Sequence, residues 1–476
     1  MSFKKVSQQK GFLLIGVLVF AAISILTITA FVSWASTSAR LSRRVESREL
    51  ALQIAEAGIE YARWYLAHYQ SDYVLGNIGA GPYTYPFNDK DGNQIGTYTL
   101  TVTPPPSGST LVKIKSTGSS LAGPLTTRSI NVHLAIPSLA KYSVLANADM
   151  RFGEGTVVYG PIHSNGGIRF DGIIWNKITS AKTSYDDPDH SGAVEFGVHT
   201  HVNTSGGGVN NSFRPAEAPP STIANRNDVF KAGREFPVPA VDFVGITNDL
   251  ATIKTQAIAS GRYFAASGYQ GYQIILKTDD TFDLYRVTSL SAPPSGCSDV
   301  TGDSTWGTWS IGAKTFLANY AIPANGLVFV EDNLWVEGQI NTARVTIAAA
   351  RFPDTAATRK SITVNNDLRY TNYDGSDVVA LISQKSINAG LFSEDDLQID
   401  AALIAQNGRV GRYYYDPPTN GAGTNRCGVN VYRNSITLYG MLGTNQRYGF
   451  AYADGTGYDT RTITYDTNLL YAPPPN

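Results

Sequence analysis

The stretch GFLLIGVLVFAAISILTITAFVSWASTSA, residues 11–39, runs for 29 residues without a charge, in a chain where charged residues make up 16% of the whole. A bilayer's hydrocarbon core needs ~20 apolar helical residues, so Phe12 to Trp34 is expected to cross a membrane. No other stretch comes close, which implies a single span. Ahead of it stand Lys4, Lys5 and Lys10 with no acidic residue. The excess of basic residues on that side predicts a cytoplasmic N-terminus and an ectodomain across the membrane. Without those three lysines the net charge changes from −1 to −4. A secretory signal cut in Ala35-Ser36-Thr37-Ser38-Ala39 is one alternative, although the apolar run exceeds the ~7 to 15 residues of a signal-peptide core. An uncleaved signal anchor is another.

Beyond the span, Arg40 to Tyr69 mixes charges and contains no Pro. Leu41, Val45, Arg48, Leu52, Ala55, Ile59, Ala62, Leu66 and Tyr69 alternate at spacings of four and three, the stripe of an amphipathic helix. Continued from the span, Phe12 to Tyr69 would form one helix of ~87 Å.

These segments resemble the type IV pilin family. Lys10-Gly11-Phe12-Leu13-Leu14-Ile15 is similar to a prepilin leader junction, and Leu50-Ala51-Leu52-Gln53-Ile54-Ala55-Glu56-Ala57-Gly58-Ile59-Glu60 to the Ala-Glu-Ala stretch of PilX-type minor pilins. The resemblance covers about the first 65 residues. It implies cleavage between Gly11 and Phe12, methylation of the new N-terminal Phe12, and a subunit that meets other pilin subunits, the pilus assembly machinery and the inner (cytoplasmic) membrane. The chain departs from the pattern at the fifth mature position, where pilins usually carry Glu and this sequence has Gly16. That departure fits a rare or tip-located subunit. It also has the bland reading of a small residue that aids helix packing.

The expected fold class is α+β: a long N-terminal helix, a small antiparallel sheet, and a large mainly-β ectodomain with an α/β insert. The leader is residues 1–11 and the helix 12–75, with its span at 12–34. A small β domain occupies 76–137, where Asp89-Lys90-Asp91-Gly92-Asn93 has calcium-loop composition but reads better as a hairpin turn. Short apolar strands with Asn-Gly and Asp-Gly corners then fill 138–179 and 321–476. They suit a β-solenoid (β-helix), with a β-sandwich as alternative. Residues 180–320 read as a loop-rich insert holding a helix at 248–260 and a hairpin at 272–287.

Charge balance and a pI near 6.6 argue against nucleic acid as a partner. No Gly-x-Ser-x-Gly elbow, phosphate loop or His-Glu-x-x-His motif is present, so neither an enzyme nor a cofactor is expected. Paired carboxylates among Glu394, Asp395, Asp396 and Asp400 are the nearest approach to a glycosidase pattern. His199 and His201, following Asp186, Asp187, Asp189 and His190, would point the same way on a strand and share a metal. The surrounding composition reads as a solvated loop, so no metal is expected there. Cys297 and Cys427 would pair if the chain folds outside the cytoplasm. Tyr413-Tyr414-Tyr415 suits either glycan contact or internal packing, the second better. The sequence therefore points to a non-enzymatic minor pilin or pseudopilin, serving assembly or tip-displayed adhesion on a surface glycan or host. The alternative is a membrane-anchored extracellular β-helix protein that binds or cleaves glycans.

Overall fold

The computed structural model describes residues 10–69, 72–104, 112–123, 126–134, 139–189, 194–202, 217–243, 250–294, 297, 307–418, 427–470 and 472–475. Lys4, Lys5, His190 and the Gly206-Gly207-Gly208 run lie outside them. The described residues up to 134 belong to one compact unit and those from 139 onward to a second.

In the first unit a single helix, α1 (Lys10–His68), runs unbroken for 59 residues, ~88 Å at 1.5 Å per residue. Leu13, Phe20, Ile28 and Trp34 are all more than half exposed, and the segment is long and apolar enough to cross a membrane. The outer part of α1 lies on a four-stranded antiparallel meander of β1 (Tyr83–Asn88), β2 (Gln94–Thr103), β3 (Val112–Ser120) and β4 (Thr127–Leu134). The buried stripe of the helix shares Ala55 and Ala62 with the expected one but is otherwise shifted toward smaller residues. Ser47, Ala51, Ile54, Ala55, Gly58 and Ala62 are buried, whereas Leu41, Val45 and Arg48 are exposed. Small side chains win the buried line because they admit the sheet closely: a Cβ on Gly58 would lie 2.4 Å from Ser116 Oγ and 2.8 Å from the Tyr98 ring. Bulkier Leu50, Ile59 and Leu66 flank this line, half-buried.

The Asp89–Asn93 loop closes on itself as a turn. Asp89 Oδ1 accepts the backbone N–H groups of Asp91 at 2.9 Å and Asn93 at 2.8 Å.

The second unit is mainly β and dominated by parallel pairing. One aliphatic file runs in register through Val328, Ile347, Leu381, Leu403, Leu442, Val144, Ile162 and Ile178. Each of these residues is at most 1% exposed, so the file forms a spine of the core. A second file joins Leu368, Ile399, Leu438, Ile463, Val158 and Ile174, also buried. A third joins Leu334, Ile362, Ile387 and Val410. Each file is apolar because its residues occupy the same inward face of successive strands and meet in one core.

The stacking order is not the chain order. The early strands Val144–Ala146, Ile162–Ser164 and Ile178–Ser180 stack outward from Tyr432–Thr444, while Arg262–Phe264 begins at the opposite end and the chain stacks back from there. Arginines in register end the first file on both sides, Arg262 beside Val328 and Arg234 beside Ile178.

Helix α2 (Leu250–Ser260) buries the expected face, Leu250, Ile253 and Ala257, against Leu327, Phe329, Ala348 and Ala350. The expected hairpin is found as Gly271–Leu276 paired antiparallel with Thr281–Leu290, extended by Ile311–Ala321. The structure differs from the sequence reading over 180–320. Val198–His199, Arg234–Glu235 and Arg262–Phe264 are strands of the parallel ladders, in register with Ile168–Arg169, Ile178–Thr179 and Val328–Val330. Strands this short are held by their neighbours rather than by local propensity, so polar flanks hide them.

Candidate functional site

Three short strands, Met150–Phe152, Ile168–Phe170 and Val198–His199, pair in parallel. Successive side chains on a strand face opposite ways. Met150, Ile168 and Val198 therefore enter the core in one file, and Arg151, Arg169 and His199 form the adjacent one on the other side.

Around His199 this second file gathers a buried polar cluster. Asp171, Asp187, Glu195, Arg169, His199 and His201 are each at most 3% exposed. This overturns the solvated-loop reading of the two histidines. Asp171 follows its strand and anchors the set: Oδ2 accepts from Arg169 Nε at 2.7 Å, and Oδ1 accepts the His201 backbone N–H at 2.8 Å and Thr200 Oγ1 at 3.4 Å. Arg169 Nη1 also stands 3.8 Å from Asp187 Oδ2. The imidazole Nε2 of His199 is 2.8 Å from Glu195 Oε2 and 3.4 Å from Asp187 Oδ2, and Nε2 of His201 is 3.3 Å from the same Glu195 oxygen. The ligand atoms of Asp187, His199 and His201 all fall within 4.8 Å of one another. Tyr185 covers the group, its ring centroid 5.5 Å from that of His199. The ring fits because Gly167 beneath it lacks a Cβ, which would sit 2.1 Å from Tyr185 Cδ1.

The electrostatics follow from this packing. Burial alone would depress His199, yet Asp187 and Glu195 override it and lift the imidazole to about 9. Burial pushes both carboxyls up, but His199 and its neighbours outweigh it, holding Glu195 down to about 2 and Asp187 well below the carboxylate range. Both histidine positions came from the sequence. Asp171, Glu195 and Arg169 did not, although the spacing Glu195, His199, His201 is a signal that a search for i, i+4, i+6 ligands would have caught.

The remaining candidates are dispersed. Cys297 and Cys427 form a disulfide beside a buried cluster of Trp309, Trp335, Tyr413 and Tyr415. Tyr413 and Tyr415 are thus packing residues, while Tyr414 donates to Asp454 Oδ2 at 2.8 Å. Asp400 accepts the Tyr370 N–H at 2.9 Å and Tyr373 OH at 2.7 Å. Asp395 pairs with Arg433, and Asp396 accepts from Ser435 at 2.6 Å. These acids answer to separate partners. Gly16 sits within α1 with open space where a Cβ would be.

No protein-family model matches this chain, and no curated protein does either. Among solved structures it is similar to the crystal structure of the competence-associated pilin ComZ from Thermus thermophilus, with 13% identity, 90% of this chain and 94% of that chain covered, and a TM-score of 0.28. A likeness at that score carries no argument about this chain.

Proposed function

We propose that this chain is a pilin-like structural subunit, anchored by α1 and carrying a large β body, and that it is not an enzyme. The observation that carries the reading is α1 itself. One uninterrupted helix joins an exposed apolar half to a half whose small-residue line grips an antiparallel sheet. It includes the Lys10-Gly11-Phe12 junction that resembles a prepilin leader. On this reading Lys4, Lys5 and Lys10 hold the N-terminus in the cytoplasm, Phe12 becomes the methylated N-terminus, and the apolar half packs with lipid or with other pilin helices. Gly16 in place of Glu supports a minor or tip-located subunit of a pilus or type II secretion filament, of PilX type, in an assembly-priming or adhesive role. We further read the body as a β-solenoid, supported by its parallel files of buried aliphatic residues.

The deciding experiment is mass spectrometry of the N-terminus after expression in a host with a prepilin peptidase. A methylated Phe12 is expected, and its loss in Gly11→Val. An intact Met1, or a start near Arg40, would overturn the reading.

A further inference from the structure

We propose that Asp187, His199 and His201, with Glu195 as fourth group, bind one divalent transition-metal ion of the zinc class.

Three observations converge. The first is ligand chemistry: two imidazoles and two carboxylates on one buried point are a donor set for zinc and its neighbours rather than for calcium, which takes oxygen ligands. The second is orientation. His199 Nδ1 lies 3.3 Å from the Phe196 carbonyl, the outer contact that typically fixes a ligating histidine and frees its other nitrogen. That other nitrogen, Nε2, is fully buried. It faces Glu195 Oε2 at 2.8 Å and Asp187 Oδ2 at 3.4 Å, so a metal ion taking the place of the imidazole proton would meet all three groups. The third is geometry. The ligand atoms of Asp187, His199 and His201 all lie within 4.8 Å of one another, and all three residues are buried.

The ion would join residues from three places in the chain: the segment after Ser184–Tyr185, the strand Glu195–Phe196, and the strand Val198–His199 with its continuation. Its role is structural, since four protein groups leave no position for substrate.

The test uses the full chain in detergent, stripped with chelator and titrated with zinc chloride by calorimetry, then with cobalt(II) as a spectroscopic probe. Expected are one equivalent of zinc, a raised melting temperature, and cobalt d–d bands of a site with nitrogen and oxygen ligands. His199→Gln and His201→Gln should each weaken zinc binding about tenfold or more, whereas the exposed His133→Gln should not. If wild-type chain binds no zinc and its melting temperature stays flat on titration, the proposal fails whatever the variants do. It also fails if the His199→Gln/His201→Gln double variant is folded and keeps its full equivalent. Neither result bears on the processing of Phe12.

Discussion

Gly118 of β3 lies directly against Ala51 of α1: a Cβ on the glycine would fall 2.1 Å from the Ala51 carbonyl oxygen and 2.5 Å from the Ala55 nitrogen. Both atoms are helix backbone, which cannot swing aside as a flexible side chain would. Gly118→Ala is therefore expected to push the sheet off the helix, at about 1–3 kcal/mol. Chemical denaturation of the full chain in detergent, followed by the fluorescence of Trp64 on α1, should show a lower midpoint. An unchanged midpoint would mean that the helix is not seated as described.

Arg412 is 1% exposed, and among the described residues its hydrogen bonds go to carbonyls and a hydroxyl. Its guanidinium donates to the carbonyls of Gly390, Leu391 and Asn430 and to Ser393 Oγ, and it lies 5.4 Å from the Tyr415 ring and 5.7 Å from that of Tyr458. Truncation strands the buried carbonyls of Gly390 and Leu391 and the half-buried one of Asn430. Arg412→Ala should cost about 3–5 kcal/mol, and Arg412→Lys should recover only part, because an ammonium lacks the planar fork. Thermal melting of the two variants side by side checks the order.

The disulfide between Cys297 and Cys427 closes a separation of 130 residues. Chain entropy sets an upper expectation of about 5 kcal/mol, with 2–4 typical. Cys427 is fully buried, so dithiothreitol should act slowly on native protein and lower the denaturation midpoint only after local opening. A Cys297→Ser/Cys427→Ser variant with wild-type stability would contradict this.

His163 is 1% exposed, and burial lowers its pKa despite the opposing pull of Asn165, with Lys141 adding to the decrease. Its native form is neutral, while the unfolded chain takes up a proton near pH 6.5. The contribution is therefore present above that pH and is lost as pH falls through the depressed native value. His163→Gln should flatten the wild-type decline in melting temperature between neutral pH and about pH 5, which a pair of pH series would resolve.

What the sequence discloses and what it hides divide along physical lines. The span is legible because an uncharged run has one cheap environment. Strands such as Leu327–Val330 and Val378–Ser383 are legible because apolar β-branched runs between turn residues have few alternatives. The buried line of α1 is legible at Ala55 and Ala62 but not at Ala51 and Gly58, because periodicity seeks bulk whereas the helix approaches its sheet through small residues. The pairing of Leu442 with Val144 is invisible for a different reason: parallel strands are joined by no turn, so no local signal records their neighbour. His199 and His201 stand out by type and spacing. Their burial does not, because it is imposed by Arg169 of an adjacent strand and by Asp171 just after it.

That seam between Tyr432–Thr444 and Val144–Ala146 also sets a timetable. Asn147 meets Asn445, 298 residues later, at its edge. As the chain emerges, the early strands have one flank with nothing to pair against until almost the last residues are made. For that interval they present an unpaired β edge, the feature that most readily recruits another chain. Loss of the final strands would therefore do more than shorten the body: it would leave that flank open for good, and aggregation of truncated chains is the form the damage would take.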